Sequence, residues 1–304
     1  MLDEFEIIDM HVHTYPNSKI GLQAMQGTGV SGMTGTIEEL LQNMKDNISK
    51  AIQVNMTPVR EMADAALKKL PKNLTPAEME EEEKKILEKM KGRNIRRNDW
   101  TCEMADKYEK LIAYVSLDPL CGSAMVTELL DKVKNRNVLG IKLHPGNGRF
   151  FPNDKSMWSV YEKAVELKLP IITHSGGFMT PDNVQYAQPK HFMEVLETFP
   201  NLILVLAHLG LGFYEETRTL AKKFDNNLYF DCSRAVTSGK MWGTLKDDQA
   251  IELIREIGVE RVMWGSDYPW CNPTKDALKL ASMNFTNEEK IMLFAENAKN
   301  ILKI

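Results

Sequence analysis

His11 and His13 stand two residues apart at the end of an apolar run, and that spacing lets two imidazoles share one ion. Side chains alternate across a strand, so residues i and i+2 point to the same side. Four more polar residues close apolar runs elsewhere. His144 follows Gly140-Ile141-Lys142-Leu143, and His174 follows Pro170-Ile171-Ile172-Thr173. His208 follows Leu202-Ile203-Leu204-Val205-Leu206-Ala207, and Asp267 follows Val262-Met263-Trp264-Gly265-Ser266. Of the six histidines, His191 alone falls outside the pattern. An unpaired polar group at the end of a buried strand is costly, so a concentration of this kind implies a shared task. Three imidazoles and a carboxylate suit zinc or another divalent transition metal with one position left for water. Such an ion brings the pKa of bound water to about 7. Ligand imidazoles must be neutral, so metal binding is expected to fail below about pH 6.

The elements that must position these residues are short apolar runs alternating with helical patterns. Runs at 6–10, 49–54, 111–117, 138–143, 170–173, 202–207, 228–231 and 261–264 read as strands buried on both faces. Helical periodicity fills 37–47, 123–135, 155–167, 191–198, 215–224, 247–257, 274–282 and 287–299. Right-handed βαβ crossovers repeated eight times predict an α/β fold, a closed (β/α)8 TIM barrel, forming one unit over 1–304. The catalytic groups of such a barrel gather at the carboxyl ends of its strands, where these histidines fall.

Two segments exceed the bare barrel. Residues 14–36 carry five glycines and read as a mobile loop over the barrel mouth. Residues 58–100 predict a helical insertion between strands 2 and 3. Its main helix opens on the capping box Thr75-Pro76-Ala77-Glu78 and runs from acidic to basic, which suits a solvated helix.

Composition narrows the class. Hydrophobic residues make up 43% and charged residues 26%, and a formal charge of −4 offers no long-range attraction to nucleic acid or an anionic membrane. No apolar run approaches the roughly 20 residues that span a bilayer. The acidic opening Met1-Leu2-Asp3-Glu4-Phe5-Glu6 lacks the basic and apolar regions of a signal peptide. Cys102, Cys121, Cys232 and Cys271 are widely spaced, which fits reduced thiols in a cytoplasm.

Asp9-Met10-His11-Val12-His13, His174-Ser175-Gly176, His208-Leu209-Gly210 and Gly265-Ser266-Asp267-Tyr268-Pro269 together resemble the motifs of the amidohydrolase superfamily. They are most similar to the amidohydrolase-related branch that includes aminocarboxymuconate-semialdehyde decarboxylase. The resemblance implies that His11, His13, His174 and Asp267 hold one divalent metal, with zinc expected first, manganese or iron acceptable, and no organic cofactor. It implies a catalytic role for His208 as acid, base or electrophile, with Asp267 also handling a proton. A small-molecule substrate follows, and a homo-oligomer is compatible, because related barrels commonly pair through inserted helices.

The supporting residues are read more openly. Lys142 shares the strand face of His144 and reads as barrel or electrostatic support, or, as in some relatives, a carboxylated bridge between two metals. His144 reads as a substrate or metal contact, or as a loop hydrogen-bonder. Arg234 suits a substrate carboxylate or a structural ion pair. Asp9 is placed to orient a ligand imidazole, while Tyr15, Trp270 and Cys271 are placed to line the mouth. The expected activity is a metal-dependent hydrolase acting on a small ester, lactone or amide. The alternative is a decarboxylase of an unsaturated or aromatic carboxylate, and a non-catalytic metal- or ligand-binding barrel stands as a distant third.

Overall fold

The computed structural model describes residues 2–26, 29, 31–44, 47–177 and 181–304. Eight parallel strands pair in chain order: β1 (Ile7–Val12), β2 (Ile48–Gln53), β3 (Leu111–Ser116), β4 (Val138–Leu143), β5 (Ile171–Thr173), β6 (Leu204–Leu206), β7 (Leu228–Asp231) and β8 (Val262–Met263). The ends of the sheet meet through the backbone: Met10 N–H donates to Trp264 O at 3.1 Å, and Asp267 N–H donates to His11 O at 2.8 Å. The result is the expected (β/α)8 barrel.

Alternation along the strands builds two apolar layers. Ile8, Ile52, Ile112, Tyr114, Ile172, Val205 and Met263 form one buried cluster inside the barrel. Ile7, Ala51, Leu111, Ala113, Ile141, Ile171, Leu204 and Val262 face the surrounding helices. Ala295, Ala298, Ile301 and Leu302 join the inner cluster and close the barrel floor, far along the chain from β1. Near the carboxyl ends the inward positions turn polar, as the sequence predicts for a barrel mouth.

β1 departs from strict alternation. Its pairing with β2 slips between Asp9 and Val12, so three residues of β1 span what two span on β2. A bulge of this kind bends the strand and re-aims side chains. His11 and His13 still converge, but the bulge contributes to that convergence along with the simple period of two.

Segment 14–36 contains a helix, α1 (Ser18–Met25), capped by the Asn17 side chain on Ile20 N–H. Residues 27, 28 and 30 of the same segment lie outside the described residues. The next helix, α2 (Ile37–Met44), is shorter than the pattern over 37–47, of which residues 45 and 46 also lie outside.

Between β2 and β3 stand α3 (Val59–Leu67) and α4 (Pro76–Lys107). The capping box forms as read, with Thr75 and Glu78 bonding reciprocally. The first half of α4 is solvated and carries pairs such as Glu80–Lys84 and Glu81–Lys85, both at 2.8 Å. Its second half is the barrel's own helix, so 58–100 is no separate appendage and the helix continues past residue 100. Asn98 explains the seating: its Oδ1 accepts from Ser116 N–H at 2.9 Å, and its Nδ2 donates to Ser116 O at 3.1 Å. A buried amide that satisfies both backbone groups at a strand's end fixes helix to strand. Ala124–Asn135, Trp158–Leu167, Met193–Thr198, Tyr214–Lys223, Asp247–Ile257 and Pro273–Ser282 follow the later strands. Among the described residues, no helix is long and apolar enough to cross a membrane.

Candidate metal and proton-transfer site

Five histidines, two aspartates, a lysine and an arginine crowd the carboxyl ends of the strands. His11 Nε2 and His13 Nε2 lie 3.6 and 3.5 Å from the same Asp267 oxygen, Oδ1. Two donors each about 2.1 Å from a common ion stand roughly 3.0–3.5 Å apart, so this trio has the spacing of one metal's ligands. His174 stands beyond this tight trio, its ring 5.0 Å from that of His208. Its Nε2 is buried and meets no hydrogen-bond partner among the described residues. A bare imidazole nitrogen in that position fits a fourth ligand and has no other visible use. The donor set therefore suits a divalent ion.

Asp231, the last residue of β7, organises the histidines from behind. Its Oδ2 accepts from His11 Nδ1 at 2.9 Å, which leaves the Nε2 lone pair of His11 toward Asp267. Its Oδ1 accepts from the backbone N–H groups of His208, at 3.2 Å, and Ser233, at 3.1 Å, and from Ser233 Oγ. Because Ser233 Oγ donates to Asp231, it accepts from His208 Nδ1 at 2.8 Å. His208 thus also carries its proton on Nδ1, which leaves Nε2 with an open lone pair. One carboxylate sets both tautomers, in the carboxylate–histidine arrangement that supports metal sites.

The backbone cooperates. His208, Arg234 and Asp267 all adopt left-handed conformations, with φ of 61, 60 and 59°, in the turns that follow β6, β7 and β8. A non-glycine residue adopts this region at a cost, and such residues gather at functional sites. Gly265 makes room beside them, since a Cβ there would stand 2.9 Å from His11 Cβ.

Electrostatics favours neutral imidazoles and an ionised Asp267. Burial, reinforced by the charge of Lys142, pushes His11 well below an ordinary imidazole. Burial likewise lowers His13, His144 and His174, and takes His208 down to about 3. These rings stay neutral to lower pH than free histidine, so their protonation begins below the pH of about 6 expected from the sequence. Burial opposes the charge on Asp267, but Arg234, with Nη1 3.2 Å from Oδ2, and the His13 bond outweigh it. That carboxyl is held well below the usual range.

The supporting residues land as follows. Lys142 Nζ lies 3.4 Å from His11 Nε2, and burial lowers it to about 8. His144 stacks on His174 with centroids 4.1 Å apart and also accepts from Asn147 N–H, so it both borders the site and braces its loop. Asp9 does not reach a ring; its Oδ1 accepts from the backbone of His11 and Ser266, tying β1 to the turn after β8. Trp270 meets His13 edge-on at 5.3 Å, and Cys271 packs against Met241. Thr14 is anchored by Asn55 and Gln53, and Asn55 reaches α4 through Thr101. Asp231 and Ser233 were missed in the sequence. The signal was present, because Phe230 faces the helices and the next residue must face inward.

A family model described as amidohydrolase matches residues 8–304. The chain belongs to the amidohydrolase family. Solved structures share this amidohydrolase's fold over almost its whole length. A 2,6-dihydroxybenzoate decarboxylase complexed with 2,6-dihydroxybenzoate is 16% identical with a TM-score of 0.72, covering 99% of this chain and 100% of that one. A dihydroxybenzoic acid decarboxylase from Polaromonas sp. JS666, with bound manganese and 2-nitroresorcinol, is 14% identical with a TM-score of 0.71, covering 98% and 97%. A 5-carboxyvanillate decarboxylase from Sphingomonas paucimobilis is 14% identical with a TM-score of 0.68, covering 99% of each chain. A search of curated proteins finds no match to this amidohydrolase.

Proposed function

We propose that this amidohydrolase is a metal-dependent carboxy-lyase that removes carbon dioxide from a hydroxylated aromatic or comparable unsaturated carboxylate. The observation that carries this reading is His208, whose Nδ1 is engaged by Ser233 so that Nε2 is left open as a proton acceptor beside the His11–His13–Asp267 trio, with the buried Arg234 paired to Asp267 at the same mouth. Structures alike over nearly the full length act on hydroxyaryl acids, and this shifts the weight from hydrolysis, the first expectation, to decarboxylation. His11, His13, His174 and Asp267 would hold the ion, with manganese favoured over zinc by the likeness to a manganese-bound decarboxylase. When bound, the ion supplies a Lewis acid that polarises substrate oxygen.

The chain's own residues supply the proton transfer. Burial keeps His208 neutral, with Nε2 open, and Asp267 is held ionised, so in this reading the substrate supplies the proton. A hydroxyaryl acid brings one on its phenol. His208 Nε2 takes it and returns it to the ring carbon that bears the carboxylate, and a ring π pair forms the new C–H bond. The C–C bond then breaks, its electron pair restores the aromatic ring, and carbon dioxide and a phenolate leave. Arg234 orients the carboxylate before it departs, and Lys142 and His144 line the same space as substrate contacts.

Hydrolysis stands as the second reading because both histidines of the strand-one pair are present and converge on one oxygen, as a metal-activated water would require. Manganese-loaded protein should be offered 2,6-dihydroxybenzoate and related hydroxyaryl acids, with carbon dioxide release measured, and lactones and esters, with acid release measured. Carbon dioxide release that His208→Ala lowers by about 10²–10⁴-fold supports the proposal. Turnover of lactones or esters alone would overturn it in favour of hydrolysis.

A further inference from the structure

Arg97, on the inner half of α4, sits against the loop that follows the strand-one histidines. Its guanidinium carbon lies 5.0 Å from the Tyr15 ring centroid and 4.8 Å from that of Trp100, within cation–π range of both. It donates to Thr14 O, the carbonyl next to His13. A guanidinium has five N–H donors, and among the described residues Thr14 O is the one acceptor Arg97 meets. No carboxylate among the described residues lies within ion-pair distance of it. The comparison within this chain is direct, since the other arginine of the mouth, Arg234, has Asp267. Arg97 is close enough that its charge acts on His13, and desolvation lowers its own pKa to about 10. A half-buried, oriented cation with neutral supports and spare donors is placed to receive an anion.

We propose that Arg97 is a second anion subsite of the mouth, and that the substrate carries, besides the carboxylate read by Arg234, a second acidic group of the carboxylate class. Tyr15 and Trp100 hold the guanidinium plane in place, so its free edge meets a planar oxyanion without further ordering. This inference rests on the carboxylate reading given under the proposed function and narrows it to diacids.

The test is calorimetric titration of manganese-loaded wild type, Arg97→Gln and Arg97→Lys with benzoate and with the 1,2-, 1,3- and 1,4-benzenedicarboxylates. The expected result is that one dicarboxylate binds wild type about tenfold tighter than benzoate. Arg97→Gln should erase that preference while leaving benzoate within about twofold, and Arg97→Lys should keep part of it. Because benzoate is the internal reference, a variant that merely loosened the mouth would weaken both ligands and overturn the inference. A preference that survives in Arg97→Gln, or that is missing in wild type, also overturns it and leaves the carboxylate reading standing. Failure of wild type to bind any of the four acids overturns both.

Discussion

Asp231 Oδ2 accepts from His11 Nδ1 at 2.9 Å, while its other oxygen reaches His208 through Ser233. A substitution at this one carboxylate therefore disturbs the proposed metal ligand His11 and the proposed base His208 together. Asp231→Ala is expected to weaken metal affinity by about 10–100-fold, the usual cost of losing a hydrogen-bond partner behind a ligand histidine. Asp231→Asn should do nearly as much, since its amide can donate where His11 needs an acceptor. Competition against a chelator reads both. Unchanged affinity in both variants would show that His11 orients itself without Asp231.

Metal content separates the ligands from their neighbours. His174→Ala and Asp267→Ala are each expected to be isolated with far less than one metal per chain, and His208→Ala with its full complement. Elemental analysis of identically prepared proteins checks this. Nearly two metals per chain in wild type would instead assign Lys142 a bridging, carboxylated form.

Acid should destabilise the metal-free protein through its buried rings. His11, His13, His144, His174 and His208 all have folded pKa values below that of free histidine. Below about pH 6.5 the unfolded chain therefore binds the extra protons, and stability is full above that pH and lost as pH falls. Asp9, raised by burial to about 7, Asp118, raised to about 6, and Asp231, Glu128 and Asp276, also raised by burial, act with the opposite sign. With His191 also lowered, six imidazoles against five carboxyls leave a net fall of at most about 1.4 kcal/mol per pH unit. Urea unfolding at pH 7.5 and 5.5 measures it, and a midpoint that rises on acidification contradicts the assignment.

The seat of α4 should matter far more than its tip. Asn98→Ala leaves the buried Ser116 N–H without its acceptor, while Asn94 Nδ2 still donates to Ser116 O, and is expected to cost about 1–3 kcal/mol. Thr75→Ala removes an exposed cap and should cost about 1 kcal/mol or less. Equal losses in chemical unfolding would mean that α4 folds as one rod rather than as a barrel helix with a solvated extension.

Gly265→Ala places a methyl 2.9 Å from His11 Cβ. The ring must shift by several tenths of an ångström, so metal affinity should drop while the fold survives. Near-native circular dichroism with weakened metal retention is the expected pair of results. Native affinity would show that the turn yields instead.

The eight strands and the polar ends of five of them were legible because buried parallel strands leave nearly continuous apolar runs that break only where function interrupts them. Asp231 was hidden by its neighbours: Asp231-Cys232-Ser233-Arg234 drew attention to the arginine, and a carboxylate acting through hydrogen bonds has no spacing signature of its own. The bulge in β1 was equally silent, since His-x-His converges with or without it. Segment 58–100 was read as an addition because its charge pattern describes only the solvated half of α4. The half that seats on Ser116 uses asparagines, which carry no hydrophobic period. Arg97 lay in that same half and passed for one more basic residue of a solvated helix.

The floor of the barrel is closed by Ala295, Ala298, Ile301 and Leu302, packed in one cluster with Ile8 near the start of β1. These partners are separated by almost the entire chain, which makes this a fold of high contact order whose inner core cannot be sealed piecemeal. During synthesis at about 5–20 residues per second, β1 waits on the order of tens of seconds for the residues that cover it. The strand that carries His11 and His13 is thus made long before the residues that cover it, and stays exposed over that interval.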